Sequence, residues 1–242
     1  MQRKVYLLHG WSIAKNTPEK WQPLQQALAE RGVESELLRI PGLTASLDEV
    51  WELENYVQWL KQELDRRDAN EVLLLGHSFG GQIATQFAAT HPQLISRLIL
   101  IDAAGIRDHS FLPTVKREVF RIVAKIGKVF FQWDWARKLL YLLAREQDYK
   151  NAPPLLRRTM SNILDAELHE MYPAVTVPTL LIWGEADSIT PLWMGEYMQR
   201  HIPEARLEII SDARHSPQYT HVEETADLIY NFLHVNNQES SS

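Results

Sequence analysis

The sequence predicts an α/β fold: a mostly parallel, doubly wound sheet of about six strands, with a helical cap inserted after the fourth strand. Short apolar runs alternate with amphipathic stretches along most of the chain, which is the pattern of a parallel sheet covered by helices. The alternation fails once, in a long segment that has only helical periodicity. With 242 residues, 45% of them hydrophobic, the chain can bury the core of one such domain.

The alternation predicts strands and helices in a regular order. The predicted strands are residues 4–8, 36–40, 72–75, 98–101, 179–183 and 206–210. The predicted helices, with apolar residues three and four positions apart, are residues 19–30, 47–64, 80–89, 192–201 and 222–233. Because parallel sheets carry their chemistry at the carboxyl ends of the strands, residues that follow a strand are the candidates for function.

The interruption of this alternation predicts a separate layer. We assign residues 1–105 and 173–235 to an α/β core, residues 106–172 to a helical cap and residues 236–242 to a disordered tail. The cap segment carries 12 Lys or Arg against 8 Asp or Glu, whereas the whole chain has a formal net charge of -6. Its aromatic side chains indicate core packing first, and its inner face is also a candidate apolar pocket for an acyl chain or a ring.

A candidate nucleophile lies where the third predicted strand turns into a helix. Residues 71–92 read EVLLLGHSFGGQIATQFAATHP, with Ser78 at the centre of a G-x-S-x-G sequence. A turn this tight strains the backbone of its central residue and pushes the hydroxyl out of the fold, and the flanking glycines leave room for neighbouring backbone. The alternative is a structural turn serine, and the strand-turn-helix context argues against it.

Two further side chains are placed to activate a serine at such a turn. A serine hydroxyl needs an imidazole base, and the base needs an acceptor that fixes its tautomer. His215 lies in the loop after the sixth predicted strand, and Asp187 lies in the loop after the fifth. The order along the chain is Ser, Asp, His, as a serine elbow on this kind of sheet requires. His221, at the start of the last helix, is a weaker alternative base.

Four ordered motifs resemble those of α/β-hydrolase-fold enzymes. They are the His9-Gly10 turn, the GHSFGG elbow, the LLIWGEADSITP acid loop and the ARHSPQ histidine loop. The resemblance covers residues 4–103 and 177–235. Members of this family usually have two more strands ahead of the His-Gly turn, so the resemblance implies a sheet of six strands here instead of eight.

The resemblance implies a role for each of these residues. Ser78 would be the nucleophile, His215 the base and Asp187 the orienting acid. Some family members place the acid at the position of Asp102, which directly follows the fourth predicted strand and is the alternative to Asp187.

The resemblance also implies an oxyanion hole formed by two backbone N–H groups, those of Trp11 and Phe79. His9 and His77 lie near the site by sequence and are candidate substrate-binding residues. Their expected roles are orienting the oxyanion loop, for His9, and packing beside the elbow, for His77.

Composition excludes several classes of function. The chain has no Cys, which rules out disulfides, Cys zinc sites and a thiol nucleophile. An acidic net charge argues against a nucleic-acid partner. No metal-site, dinucleotide or P-loop motif is present, so we expect no metal and no cofactor. Without a signal peptide or a long apolar stretch, we expect a soluble, cytoplasmic protein, with membrane binding unfavoured and the oligomeric state open.

Hydrolysis of carboxylic esters, lactones included, is the activity that these residues favour, with a small-molecule ester as substrate. The alternative is cleavage of carbon-carbon bonds, since residues 215–224 resemble the terminal motif of hydrolases that act on ring-cleavage products. The glycine-rich oxyanion loop of those enzymes is absent after His9-Gly10. A third class, a ligand sensor of the same fold, usually lacks triad residues, and all three candidates are present here.

Overall fold

The sheet in this computed structural model has six strands, all parallel, in the order β2-β1-β3-β4-β5-β6. The structure describes residues 4–14, 16–106 and 152–234. The strands are β1 (Val5–Leu8), β2 (Ser35–Leu37), β3 (Val72–His77), β4 (Ile95–Ile101), β5 (Thr179–Gly184) and β6 (Ala205–Ile210). The α/β class, the parallel direction and the number of strands are confirmed. Most of the predicted cap, residues 107–151, and the predicted tail lie outside the described residues.

Helices cover both faces of the sheet. They are α1 (Thr17–Glu30), α2 (Leu53–Asp65), α3 (Phe79–Thr90), α4 (Pro154–Asp165), α5 (Leu192–His201), α6 (Pro217–Thr220) and α7 (Val222–His234), with short 3-10 turns at Pro92–Leu94 and Tyr172–Ala174. All five predicted helices are present. Helix α4 lies inside the segment predicted to be the cap.

The central strand β3 shows why an entirely apolar run still has two distinct faces. Leu73 and Leu75 point into a core layer with Trp21 of α1, whereas Leu74 points to the opposite layer with Phe87 of α3. Successive side chains of a strand alternate between the two faces of the sheet. Because helices bury both faces, every residue of β3 is buried.

Helix α2 begins at residue 53 and not at residue 47, where its apolar pattern starts. The side-chain oxygen of Asn55 accepts the N–H of Glu52 at 2.8 Å, which caps the helix at that point. Just upstream, the N–H of Trp51 donates to Thr159 Oγ1 of α4 at 3.1 Å. The segment before α2 therefore docks α4 and does not extend the helix.

Strand β2 is shorter than predicted because the chain turns sharply after it. The carbonyl oxygen of Ile40 accepts the N–H groups of Leu43, Thr44 and Ala45, at 2.9 to 3.1 Å. A residue whose carbonyl closes a turn in this way no longer continues a ladder with β1. The turn at residues 40–45 lies beside the end of β1, where the His-Gly sequence begins.

Helix α4 is tied to the helix that follows the serine elbow. Gln82 of α3 is buried, and its side-chain nitrogen lies 3.1 Å from the carbonyl oxygens of both Ile163 and Ala166. These carbonyls belong to the C-terminal end of α4, where four carbonyls lack an intrahelical partner. The described end of the predicted cap segment is thus anchored on the core by a side chain of α3.

Replacing Gly80 by Ala is expected to destabilise the protein severely. A Cβ at Gly80 would stand 2.6 Å from the carbonyl carbon of Leu8, and its three nearest neighbours are all backbone atoms of Leu8 and His9, which cannot move aside as a flexible side chain could. We expect a loss of about 3 kcal/mol or more in the free energy of unfolding, or no soluble protein. Ala89→Gly in the same helix is the control, with an expected cost of about 1 kcal/mol. Equal losses in a urea titration would contradict the close approach described here.

Candidate active site

Ser78 occupies a strained turn between β3 and α3. Its backbone has a φ of 53° and a ψ of -115°, a region that a residue with a Cβ rarely adopts. A Cβ at Gly76 would lie 2.6 Å from the carbonyl carbon of Gly80, so these two glycines let strand and helix meet. The turn presents the Ser78 hydroxyl at the carboxyl end of the central strand, as the sequence predicts for this elbow.

The structure brings Ser78, His215 and Asp187 into one line of contacts. His215 Nε2 lies 3.0 Å from Ser78 Oγ, and His215 Nδ1 lies 2.8 Å from Asp187 Oδ2. A carboxylate only accepts, so His215 Nδ1 carries the proton and Nε2 is free to accept from the serine hydroxyl. The three residues follow three different parallel strands, whose carboxyl ends meet at one edge of the sheet.

Asp187 is held in its ionised form by its neighbours. Burial alone would raise the pKa of this carboxyl, but hydrogen bonds from His215, from the Thr190 hydroxyl and from the Ile189 N–H lower it. The Thr190 hydroxyl lies 2.7 Å from Oδ2, and the N–H groups of Ile189 and Thr190 lie 2.7 and 3.2 Å from Oδ1. The carboxylate is thus both charged and fixed in orientation.

Sequence reasoning missed Thr190. Its hydroxyl also lies 3.2 Å from His215 Nδ1 and 3.1 Å from the carbonyl oxygen of Asp102. An Asp whose side chain accepts backbone N–H groups two and three residues later is the mark of a local Asx turn. The D-S-I-T sequence carries that signal, although it does not indicate that the threonine hydroxyl reaches the acid and the base as well.

Asp102, the alternative acid, lies close by in a different environment. It is fully buried at the end of β4, and its Oδ1 accepts the N–H of Gly184 at 2.9 Å, while its Oδ2 has no hydrogen-bond partner among the described residues. Burial, together with the charge of Asp187, raises the pKa of Asp102 to about 9. A protonated carboxyl cannot supply the charge that orients an imidazolium, so the electrostatics favour Asp187 as the acid.

His77 supports the histidine loop from inside the protein. Its Nε2 lies 2.8 Å from the carbonyl oxygen of His215, and its ring centroid is 5.1 Å from that of His215. Burial lowers the pKa of His77 to about 3, so the ring is neutral and donates from Nε2. The ring is buried against Trp21 of α1, which agrees with packing beside the elbow.

The peptide between Gly10 and Trp11 lies next to the nucleophile. A Cβ at Gly10 would be 3.1 Å from Ser78 Cβ. The Trp11 ring is half-buried and meets the Phe79 ring edge to face, with centroids 5.4 Å apart. Phe79 is the first residue of α3, so its N–H has no intrahelical acceptor. The residues predicted to supply the two oxyanion donors therefore lie near Ser78.

The structure also places His221, the alternative base. His221 lies between α6 and α7, where its Nδ1 is 2.9 Å from Thr220 Oγ1. The imidazole in contact with Ser78 is that of His215.

Among the described residues, His77, Asp102 and His215 bring potential metal-ligating atoms within 4.8 Å of one another. His215 in this set already contacts Ser78 and Asp187, so its two ring nitrogens are engaged in the line of contacts.

Comparisons with known proteins find relatives over most of the chain. A sequence profile of the alpha/beta hydrolase family matches residues 5–228. The pimeloyl-(acyl-carrier protein) methyl ester esterase of Neisseria meningitidis is 25% identical, over 96% of this chain and 93% of that protein. A Pseudomonas 2-hydroxy-6-oxononadienedioate/2-hydroxy-6-oxononatrienedioate hydrolase is 22% identical, over 95% of this chain and 87% of that protein.

Solved structures show the same fold. An esterase from Thermogutta terrifontis superposes with a TM-score of 0.66 at 22% identity, covering 96% of this chain and 89% of that one.

Within the described ranges, no helix has both the length and the apolar character that crossing a membrane requires.

The paired variants Asp187→Asn and Asp102→Asn should differ strongly in activity. Loss of the carboxylate that orients the imidazole typically costs about ten-thousandfold in turnover, and we expect this for Asp187→Asn. Asp102→Asn keeps an oxygen for the Gly184 N–H and replaces a neutral group by a neutral one, so turnover should change less than about tenfold. Steady-state rates on an aryl ester measure the two losses of turnover. A larger loss in Asp102→Asn than in Asp187→Asn would make Asp102 the acid.

Asp102→Asn should also change how stability depends on pH. The pKa of Asp102 is raised from 3.8 to about 9 on folding. Between these values the folded protein holds a proton that the unfolded chain has lost, so this group lowers the free energy of unfolding as pH rises. Asn does not titrate, so the variant lacks this pH-dependent decrease in stability. The free energy of unfolding of the variant, minus that of the parent, should therefore increase by at least about 1 kcal/mol between pH 5 and pH 8. Parallel stability curves would contradict a neutral Asp102.

Proposed function

Because the chain belongs to the α/β-hydrolase family, we propose that it hydrolyses carboxylic esters through an acyl-enzyme on Ser78. One observation carries the proposal: His215 Nε2 lies 3.0 Å from Ser78 Oγ while its Nδ1 lies 2.8 Å from Asp187 Oδ2. A nucleophile in contact with a base that is itself oriented by a third group is the arrangement that activates a serine hydroxyl.

In the acylation step, Ser78 Oγ attacks the ester carbonyl as His215 Nε2 takes its proton. The negative charge that develops on the carbonyl oxygen is stabilised by the N–H groups of Trp11 and Phe79, each worth a few kcal/mol. The resulting imidazolium is stabilised by the Asp187 carboxylate. His215 then gives its proton to the leaving alkoxide, the ester bond breaks and the alcohol departs.

Deacylation uses the same proton transfers and the same attack on the carbonyl, with water as the nucleophile. His215 Nε2 takes a proton from the water, and the hydroxide attacks the acyl carbonyl at the same oxyanion site. As the second tetrahedral intermediate collapses, His215 returns a proton to Ser78 Oγ and the carboxylic acid is released. One ester and one water become one acid and one alcohol, and the enzyme is regenerated.

The substrate class we propose is an uncharged apolar acyl group, of short to medium length, esterified to a small alcohol. The relative from Neisseria acts, by its name, on a methyl ester of a carrier-bound acyl chain, which supports a small leaving alcohol. The segment predicted to be the cap is rich in aromatic side chains. An apolar wall contributes about 0.8 kcal/mol for each methylene buried.

Carbon-carbon bond cleavage is the second candidate. The name of the Pseudomonas relative gives 2-hydroxy-6-oxo dioates as substrates, and residues 215–224 resemble the terminal motif of hydrolases that act on ring-cleavage products. The two activities share the Ser78, His215 and Asp187 arrangement and differ in whether oxygen or carbon leaves. A substrate panel of aryl esters, methyl esters, lactones and ring-cleavage diketones separates them.

A fluorophosphonate should label the protein at Ser78 and at no other serine, because among the residues that the structure describes only this serine hydroxyl contacts a base at the apex of an elbow. We expect one adduct in the peptide that contains Ser78, together with loss of ester hydrolysis in Ser78→Ala. Mass spectrometry of the digested adduct gives the position. An adduct elsewhere, or near-parental turnover of Ser78→Ala, would rule out the proposed mechanism.

A further inference from the structure

The turn that follows β1 is held by a short chain of hydrogen bonds that reaches another loop. His9 is fully buried, and its Nδ1 lies 2.7 Å from the carbonyl oxygen of Gly10. Its Nε2 lies 3.0 Å from Thr44 Oγ1, on the turn at residues 40–45. The sequence indicates a role for His9, but it contains no signal for Thr44.

The proton positions in this chain follow from the partners. The Gly10 carbonyl oxygen only accepts, so His9 Nδ1 must carry a proton. Burial lowers the pKa of His9 below its usual value, which keeps the ring neutral and leaves Nε2 as an acceptor. The Thr44 hydroxyl is therefore the donor to Nε2, and its donation selects the tautomer with the proton on Nδ1.

The His9 contact also determines the direction of a neighbouring N–H. The described residues contain no cis peptide bond, so the carbonyl of Gly10 and the N–H of Trp11 point in opposite directions within one rigid plane. Fixing the Gly10 oxygen against His9 Nδ1 turns the Trp11 N–H to the other side. Gly10 itself lies beside Ser78: a Cβ built on Gly10 would be 3.1 Å from Ser78 Cβ.

We propose that Thr44 is a positioning residue of the active site. Its hydroxyl holds His9 in the tautomer protonated on Nδ1, and His9 in turn orients the Gly10-Trp11 peptide so that the Trp11 N–H meets the oxyanion. This inference rests on the proposed function, since the oxyanion exists only during acyl transfer at Ser78.

The backbone of Thr44 is fixed independently of its side chain. Its N–H donates to the Ile40 carbonyl at 2.9 Å, and its own carbonyl accepts from Arg39 Nε at 3.1 Å. Thr44→Val has nearly the same shape and keeps these contacts, so the variant removes the hydroxyl alone. Thr44→Ser restores a hydroxyl at the same place.

Without the Thr44 donor, only the Gly10 oxygen favours the proton on Nδ1, so a fraction of His9 carries the proton on Nε2 and presents a lone pair to that oxygen. The peptide loses its anchor, and the Trp11 N–H no longer points steadily to one position. Complete removal of an oxyanion donor costs about 10²- to 10³-fold in turnover. For a misoriented donor we expect a loss of about ten- to a hundredfold in kcat with KM within about threefold.

The first test compares Thr44→Val, Thr44→Ser and Ser46→Ala with the parent on one aryl ester. Ser46 is exposed on the same loop and serves as the matched control, with unchanged turnover. Affinity for a trifluoromethyl ketone, which forms an oxyanion adduct with the serine, should fall in Thr44→Val as much as kcat/KM falls. Failure of Thr44→Ser to recover, or an unchanged affinity for the ketone, would overturn the proposal.

The second test reads the His9 tautomer directly by nitrogen NMR, with His9→Asn used to assign the signals. The parent and Thr44→Ser should carry the proton on Nδ1, whereas Thr44→Val, which keeps only the Gly10 oxygen to favour that tautomer, should show a measurable fraction of His9 protonated on Nε2. This readout does not depend on activity. A parent protein that neither hydrolyses esters nor reacts at Ser78 would refute the proposed function, whereas an unchanged tautomer in Thr44→Val refutes the role of Thr44 whatever the activity.

Discussion

The close approach of helix α3 to the strands beneath it is the constraint on which the candidate site depends. Gly76 and Gly80 have no Cβ at the points where the backbone of β3 meets that of α3, and Gly80 also meets the end of β1. Only this proximity lets the chain reverse within one residue, so Ser78 takes a backbone conformation with positive φ. The same proximity brings the turn after β1 beside the nucleophile. Local steric requirements thus assemble parts of the site that lie far apart in sequence.

Two carboxyl groups near the histidine have opposite protonation states because their hydrogen-bond donors differ. Asp187 receives donors on both oxygens, and the interactions with His215, Thr190 and Ile189 together outweigh the effect of burial on its pKa. Asp102 receives one backbone N–H and is fully buried, so burial dominates and the proton stays. Two charged carboxylates this close would repel each other, and neutralising one of them leaves a single negative charge opposite His215. The Thr190 hydroxyl, in contact with Asp187 and with the backbone of Asp102, joins the two environments.

Much of the fold and the line of contacts at Ser78 could be predicted because their signals are local. Apolar periodicity identifies the strands and most helix bounds, and the elbow is recognisable from five consecutive residues. The contacts of Thr190 with His215 and of Thr44 with His9 could not be predicted, since these partners lie 25 and 35 residues away and any hydroxyl in a loop looks alike in sequence. The start of α2 was misplaced for the same reason: Trp51 is bound by a helix more than a hundred residues further along the chain.

The hydrogen bonds from Gln82 to the end of α4 bear on how this protein could be recombined with its relatives. An exchange of the predicted cap segment at its sequence boundaries, residues 106 and 172, would remove α4 and leave the buried amide of Gln82 without its two carbonyl partners. The donor segment would then have to supply two carbonyl groups at matching positions, which unrelated caps have no reason to do. A junction placed between residues 151 and 154 keeps α4 with its own core. The natural module for grafting is therefore the segment before α4, with α4 retained as part of the scaffold that receives it.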